Sequence, residues 1–250
     1  MKTSFTLFAA AMAMMTAFTA CNPEKFVKEV IDENDGEMTL SASNASAGDQ
    51  AYSDGNAISF QAVLCDADSG KNSIRFVGMA NKLTERVEGN TYPIFGMNLL
   101  DTANTSFTIN FPINDPDFLL ALDWTTLLTG DNSMNIMVVA TSNDAYYVAT
   151  EGTITISSLG QVGAQVTGSI NGVTCKYITN SKIEYIRGLK ERIARGAANP
   201  SEYGADAQAA AAELGAINWE TYFPSLVLTG NYSSLRAGLS RYLNAINAVE

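Results

Sequence analysis

Residues 162–179, VGAQVTGSINGVTCKYIT, decide the fold class. Apolar and polar side chains alternate with period two on both sides of Asn171-Gly172, the pattern of strands with one buried face. An Asn-Gly pair between two such runs is the strongest short hairpin signal, because both turn residues must take positive φ. The stretch therefore predicts a hairpin of Val162–Ile170 against Val173–Thr179, pairing Ile170 with Val173, Gly168 with Cys175 and Val166 with Tyr177. Those six residues face the core with Val162 and Ala164, while Thr167, Ser169, Thr174 and Lys176 face away. Cys175 points inward, opposite a glycine that leaves room for its sulfur.

Working outward, the same alternation recurs at Ile58, Phe60, Ala62 and Leu64, at Phe107, Ile109 and Phe111, at Met134, Ile136 and Val138, and at Ile154 and Ile156. Ser59, Gln61, Ser106, Thr108, Asn110, Thr153 and Thr155 fill the intervening positions. Turn residues separate the runs at Asp66 to Asn72 and around Gly160. The expected architecture is mainly β with α additions (α+β): an antiparallel β-sandwich or open barrel over 37–179, followed by a C-terminal helical segment. Cys65 shares the parity of Ser59 and Gln61 unless a bulge turns it. A Cys65–Cys175 disulfide would close a long loop and stabilise by about 4 to 5 kcal/mol. Strand parity argues instead for a buried thiol at Cys175.

Asp115-Pro116 offers a cap and first-turn proline for a helix carrying Phe118, Leu119, Leu122 and Leu127, with Gly130 as its end. From Ser181 the period becomes helical. Ile183, Ile186, Leu189 and Ile193 form one stripe, Arg187, Glu191 and Arg195 are spaced for ion pairs, and Gly196 closes the helix. Ala205 to Ala212 reads as a second helix. A third is expected along Leu235, Leu239, Tyr242, Ile246 and Val249, capped by Ser233 or Ser234. The region 180–250 is thus expected to pack on the sheet or form a small bundle. Its basic first helix suits a docking face for an acidic partner or cations near a helix end. Trp219, Tyr222, Phe223, Leu226 and Leu228 read as core or as a sugar-stacking platform.

Fifteen basic against 26 acidic residues give a net charge of -11, which repels nucleic acid over most of the surface. With no histidine, Ser-His and Cys-His nucleophile pairs and imidazole zinc sites are excluded. Asp66, Asp68 and Asn72 around Gly70 match a calcium loop poorly and fit a turn better. Asp115 and Asp117 could form a carboxylate pair, but they also suit an acidic helix start. No catalytic residue, metal or cofactor is assigned.

Lys2 followed by the apolar run Phe5 to Phe18 has the form of a secretory signal over residues 1–20. Phe18-Thr19-Ala20-Cys21 then resembles the lipobox of bacterial lipoproteins, and its departures, Phe18 for leucine and Thr19 for alanine or serine, look like those of Bacteroidota-type envelopes. The resemblance implies that Cys21 carries the lipid and anchors the mature chain in a membrane, with the outer membrane expected and the periplasmic or surface face left open. Residues 21–36 are expected to form the anchor and a short helical tether with Phe26, Val27, Val30 and Ile31 on one side. Tyr147 to Asn180 resembles the final strands of small β-rich lipoproteins of unknown function from the same envelopes.

The expected function is that of a lipid-anchored cell-envelope protein with a non-enzymatic binding or structural role, its protein or glycan partner unidentified. Two alternatives are a pilus or adhesin subunit assembling by strand donation, and a glycan-binding accessory protein.

Overall fold

A computed structural model describes residues 36–46, 51–67, 72–80, 92–121, 133–142, 144–238 and 242–243. The signal segment, Cys21, the tether helix, Asp68, Gly70, Leu122, Leu127, Gly130, Leu239, Ile246 and Val249 lie outside the described residues.

The strands are β1 (Gly36–Ser43), β2 (Ala57–Asp66), β3 (Ser73–Met79), β4 (Ile94–Leu100), β5 (Ser106–Asn110), β6 (Ile136–Ser142), β7 (Ala145–Leu159), β8 (Gln165–Thr179) and β9 (Ser225–Arg236). Helix α1 (Pro116–Leu120) follows β5, and α2 (Asn180–Ala198), α3 (Pro200–Gly215) and α4 (Trp219–Tyr222) lie between β8 and β9. Eight strands close into an antiparallel barrel in the order β7-β6-β4-β3-β2-β1-β9-β8, with β8 returning to β7. The expected sandwich or open barrel is therefore a closed one. Strand β5 runs beside β7 beyond the end of β6. The Asn135 amide ties that seam, accepting from Leu100 N at 2.8 Å and donating to Thr108 O at 2.9 Å.

Eight strands enclose a space that side chains can fill, and here they do. Leu40, Phe60, Phe76, Phe95, Met97, Tyr147, Ile170, Leu228 and their neighbours form one buried apolar cluster inside the barrel. A second cluster, outside it, joins Val138, Val148 and Ile178 of the barrel to Leu119 of α1, Ile183 and Ile186 of α2, and Phe223. The stripe expected on the first tail helix thus docks on the barrel wall.

Asn171-Gly172 does not form a hairpin turn. β8 runs unbroken through it, and β7 pairs with β8 from Ala145↔Thr179 to Leu159↔Val166, with Gly160–Ala164 as the connection. Gly172 has φ 62°, and the register against β9 slips between Ile170 and Val173, so the pair is a β-bulge. Opposite it, Gly152 of β7 has φ 138° and passes so close to Val173 that a Cβ would lie 2.7 Å from that residue's Cα. The two long strands bend together at this corner, as closure requires. A hairpin and a one-residue bulge shift side-chain parity alike, so Val166, Ile170, Val173 and Cys175 face the core as expected although their partners differ.

Other expectations change for similar reasons. Met38 pairs with Phe60 but Gly36 with Val63, a bulge in β2 that reverses parity and turns Cys65 inward. Cys65 and Cys175 are both buried in the barrel core and are not joined in a disulfide, and burial pushes the Cys175 thiol up. The room left by Gly168 goes to Tyr232, whose hydroxyl donates to Thr155 O at 2.9 Å, while Cys175 sits between Ala149 and Leu226. Ser233, Ser234 and Leu235 are in β9, not at the start of a third helix. That strand fills the place between β8 and β1. Gly196 does not end α2, which continues to Ala198. It lies where α3 crosses, with Ala207 Cβ only 2.2 Å from where its own Cβ would be.

Candidate functional site

The barrel's outer surface divides by chemistry. One sector is covered by the helical layer. Another, over β2 and β3, is buried around an ion pair between Asp66 and Arg75, with side chains 0% and 3% exposed, and the Arg75 guanidinium lies 5.1 Å from the centre of the Tyr242 ring. The third sector, formed by β5, the second half of β7, β8, β9, β1 and the start of β2, is open.

The pleat of these strands sends short polar side chains outward at every second residue. Pairing registers then line them up across the sheet. One row runs Ser106↔Thr155↔Ser169↔Asn231↔Thr39↔Ser59 across six strands. All six are exposed or half-buried. Beside it, Ser158↔Thr167↔Ser233↔Glu37 forms a shorter row. On the other side, Thr108↔Thr153↔Asn171 leads to Thr229, whose hydroxyl accepts from Gly172 N at 3.2 Å, and on to Ser41. Across these rows Glu37 is the only ionisable residue.

Neighbouring hydroxyls hold one another in place. Thr155 and Ser169 are 2.6 Å apart, Thr39 and Ser59 are 3.4 Å apart, and the Ser233 hydroxyl donates to Gln165 Oε1 at 2.7 Å. An open groove of about 620 Å³ lies here, lined by Glu37, Thr39, Ser157, Thr167, Asn231 and Ser233 over the backbone of Met38, Gly168 and Tyr232. Such a surface offers many donors and acceptors and little charge. It can recognise a neutral polar ligand.

The residues singled out in the sequence go elsewhere. Trp219, Tyr222 and Phe223 pack against one another, Tyr222 meeting Phe223 edge-on with centroids 4.9 Å apart, and belong to the cluster under the helices. Lys182 lies 4.9 Å from the Tyr222 ring centre and donates to Tyr222 O, while Lys176 donates to Glu220 O at 2.6 Å. Desolvation lowers the Lys176 ammonium, partly offset by Glu220. The cations of α2 are engaged within the fold: Lys190 with Asp117 at 2.8 Å, Arg192 with Asp206 at 2.7 Å, Arg195 with Asp206 at 2.9 Å, and Arg187 with Glu184. Arg187 and Arg195 therefore choose Glu184 and Asp206, not Glu191. The guanidiniums of Arg192 and Arg195 hold the Asp206 carboxyl below its ordinary range.

Asp115 caps α1, accepting from Asp117 N at 2.9 Å, and Asp117 reaches Lys190, so neither carboxylate is directed at a shared reacting centre. Asp66 is committed to Arg75. Among the described residues no group of three or more cysteines, aspartates and glutamates is placed to hold a metal. The polar rows were visible in the sequence only as separate alternations; the signal for their last member, Leu226, Leu228 and Tyr232 at period two, is interrupted by Gly230. Comparisons with protein-family models, with curated proteins and with solved structures found no match to the chain.

Proposed function

We propose that the chain is a lipid-anchored cell-envelope protein, held at the outer membrane through Cys21, that binds a partner on the outside of its barrel and is not an enzyme. The observation that carries this reading is the distribution of polarity: apolar cluster inside, hydroxyl rows outside. A barrel that crosses a membrane has the reverse arrangement, with an apolar outer band. Among the described residues no helix is long and apolar enough to cross a membrane. The proposed attachment is the lipid on Cys21, whose buried methylenes contribute about 0.8 kcal/mol each.

The filled interior leaves the surface as the place to bind. Strand donation gains less support, because each of the eight barrel strands already has a neighbour on both sides and, among the described strands, the open edge belongs to the five-residue β5. The glycan-binding alternative is favoured by the neutral hydroxyl rows.

In cells fed labelled palmitate, the wild-type protein should carry label and stay with membranes through a high-salt wash. Cys21→Ser should lose the label and appear in the soluble fraction. An unlabelled wild-type protein, or a Cys21→Ser protein that remains membrane-bound, would overturn the anchor. A hydrolytic activity abolished by single aspartate or glutamate substitutions would overturn the non-enzymatic role.

A further inference from the structure

We infer that the row from Ser106 to Ser59, with the groove beside it, binds a neutral polysaccharide strand lying across the β-strands, an inference that rests on the envelope-binding reading above. Three features select this occupant. The first is repeat. Adjacent strands lie about 4.8 Å apart, on the scale of the rise per sugar in an extended β-linked glycan, so a chain crossing the sheet meets a fresh hydroxyl or amide at each ring. The row curves around the closed barrel, so an extended chain meets the positions about the groove, Ser169, Asn231 and Thr39.

The second is charge. The chain as a whole carries -11, and a polyanion would be repelled, whereas the rows hold only Glu37. A neutral polyol is compatible with both facts. The Glu37 carboxylate, at the edge of the groove, can accept from two sugar hydroxyls. The third is the kind of group present. Protein interfaces depend on buried aromatic and arginine anchors, and anionic membranes on lysine and arginine; the rows contain neither. Each serine and threonine hydroxyl instead both donates and accepts, as sugar hydroxyls do. The contacts Thr155–Ser169 and Ser233–Gln165 fix side chains in advance and lower the ordering cost of binding.

Detergent-solubilised full-length protein should be run on native gels cast with hydroxyethyl cellulose, soluble β-1,4-xylan or soluble β-1,4-mannan, with polygalacturonate as the anionic control. Retardation by at least one neutral polymer and none by polygalacturonate is expected. Thr39→Ala/Asn231→Ala should weaken that retardation about tenfold by removing two central hydrogen-bonding groups, while its melting temperature stays near that of the wild type. Passage through all three neutral gels without retardation would overturn the inference, as would full retardation of the double variant or retardation by polygalacturonate alone. Membrane fractionation of the same cells separates the two levels: protein that is not retarded yet remains membrane-held removes only the glycan ligand, whereas protein released to the soluble fraction removes the envelope reading beneath it.

Discussion

Gly168→Val should destabilise the barrel by about 3 kcal/mol or more, at the upper end of what overpacking costs. At this position even a Cβ would sit 2.1 Å from Thr155 O and 2.3 Å from the Tyr232 hydroxyl. The first obstacle is backbone of the paired strand and cannot swing aside. The second is a phenol that crosses the core, donating to Thr155 O while its ring meets Phe76 edge-on at 5.4 Å. Tyr232→Phe should cost much less, about 1 kcal/mol, since it removes one hydrogen bond and keeps the ring. Combining Tyr232→Phe with Gly168→Val should recover only a small part of the loss, because the clash with Thr155 O persists. Urea denaturation of the three variants checks this; a Gly168→Val protein as stable as wild type would mean that β7, β8 and β9 do not approach as described.

The second large effect belongs to Asp66 and Arg75. They sit directly opposite each other on β2 and β3, with Tyr242 over the guanidinium. Arg75→Met alone leaves a buried carboxylate without its cation and should cost about 3 to 5 kcal/mol. Asp66→Leu together with Arg75→Met removes both charges and should regain most of that, since an apolar pair of similar volume avoids the desolvation of two ions. Denaturant midpoints of the single and double variants measure the difference. A double variant as unstable as the single one would show that the pair's partners, not the mutual charge, hold this sector together.

Much of this fold was legible from alternation alone, for a reason the β8 bulge makes clear. Burial on one face imposes period two whatever a strand pairs with, so the alternation places Val166, Ile170, Val173 and Cys175 in the core whether Asn171-Gly172 is a turn or a bulge. What Asn171-Gly172 cannot announce is whether the positive φ of Gly172 reverses the chain or only bends it. That depends on a partner more than fifty residues away, where Leu228 faces Val173. Cys65 is turned inward by the same kind of event, a bulge in β2 set by its register with β1.

The tail was harder to read. Ile183, Ile186 and Leu189 advertised α2 by their spacing, and the helix is there. Ser233-Ser234 followed by Leu235 resembles a helix cap, and short local patterns of that sort are decided by tertiary pairing. Without β9 between them, the outward polar residues of β1 and β8 have no common neighbour. The site was therefore present in the sequence as fragments, Ser59, Thr155 and Ser169 among them, with nothing local to say that they form one row.

That row exists only because Ser225–Arg236 joins β8 to β1, with Asn231 set between Ser169 and Thr39. Native-state hydrogen exchange tests the joint directly. The amides of Leu228 to Tyr232 should exchange as slowly as those of Val166 to Ile170 and lose protection with them only in global unfolding. Rapid exchange across Leu228–Tyr232 while β8 stays protected would contradict the closed barrel, and with it the continuous polar face on which binding is proposed.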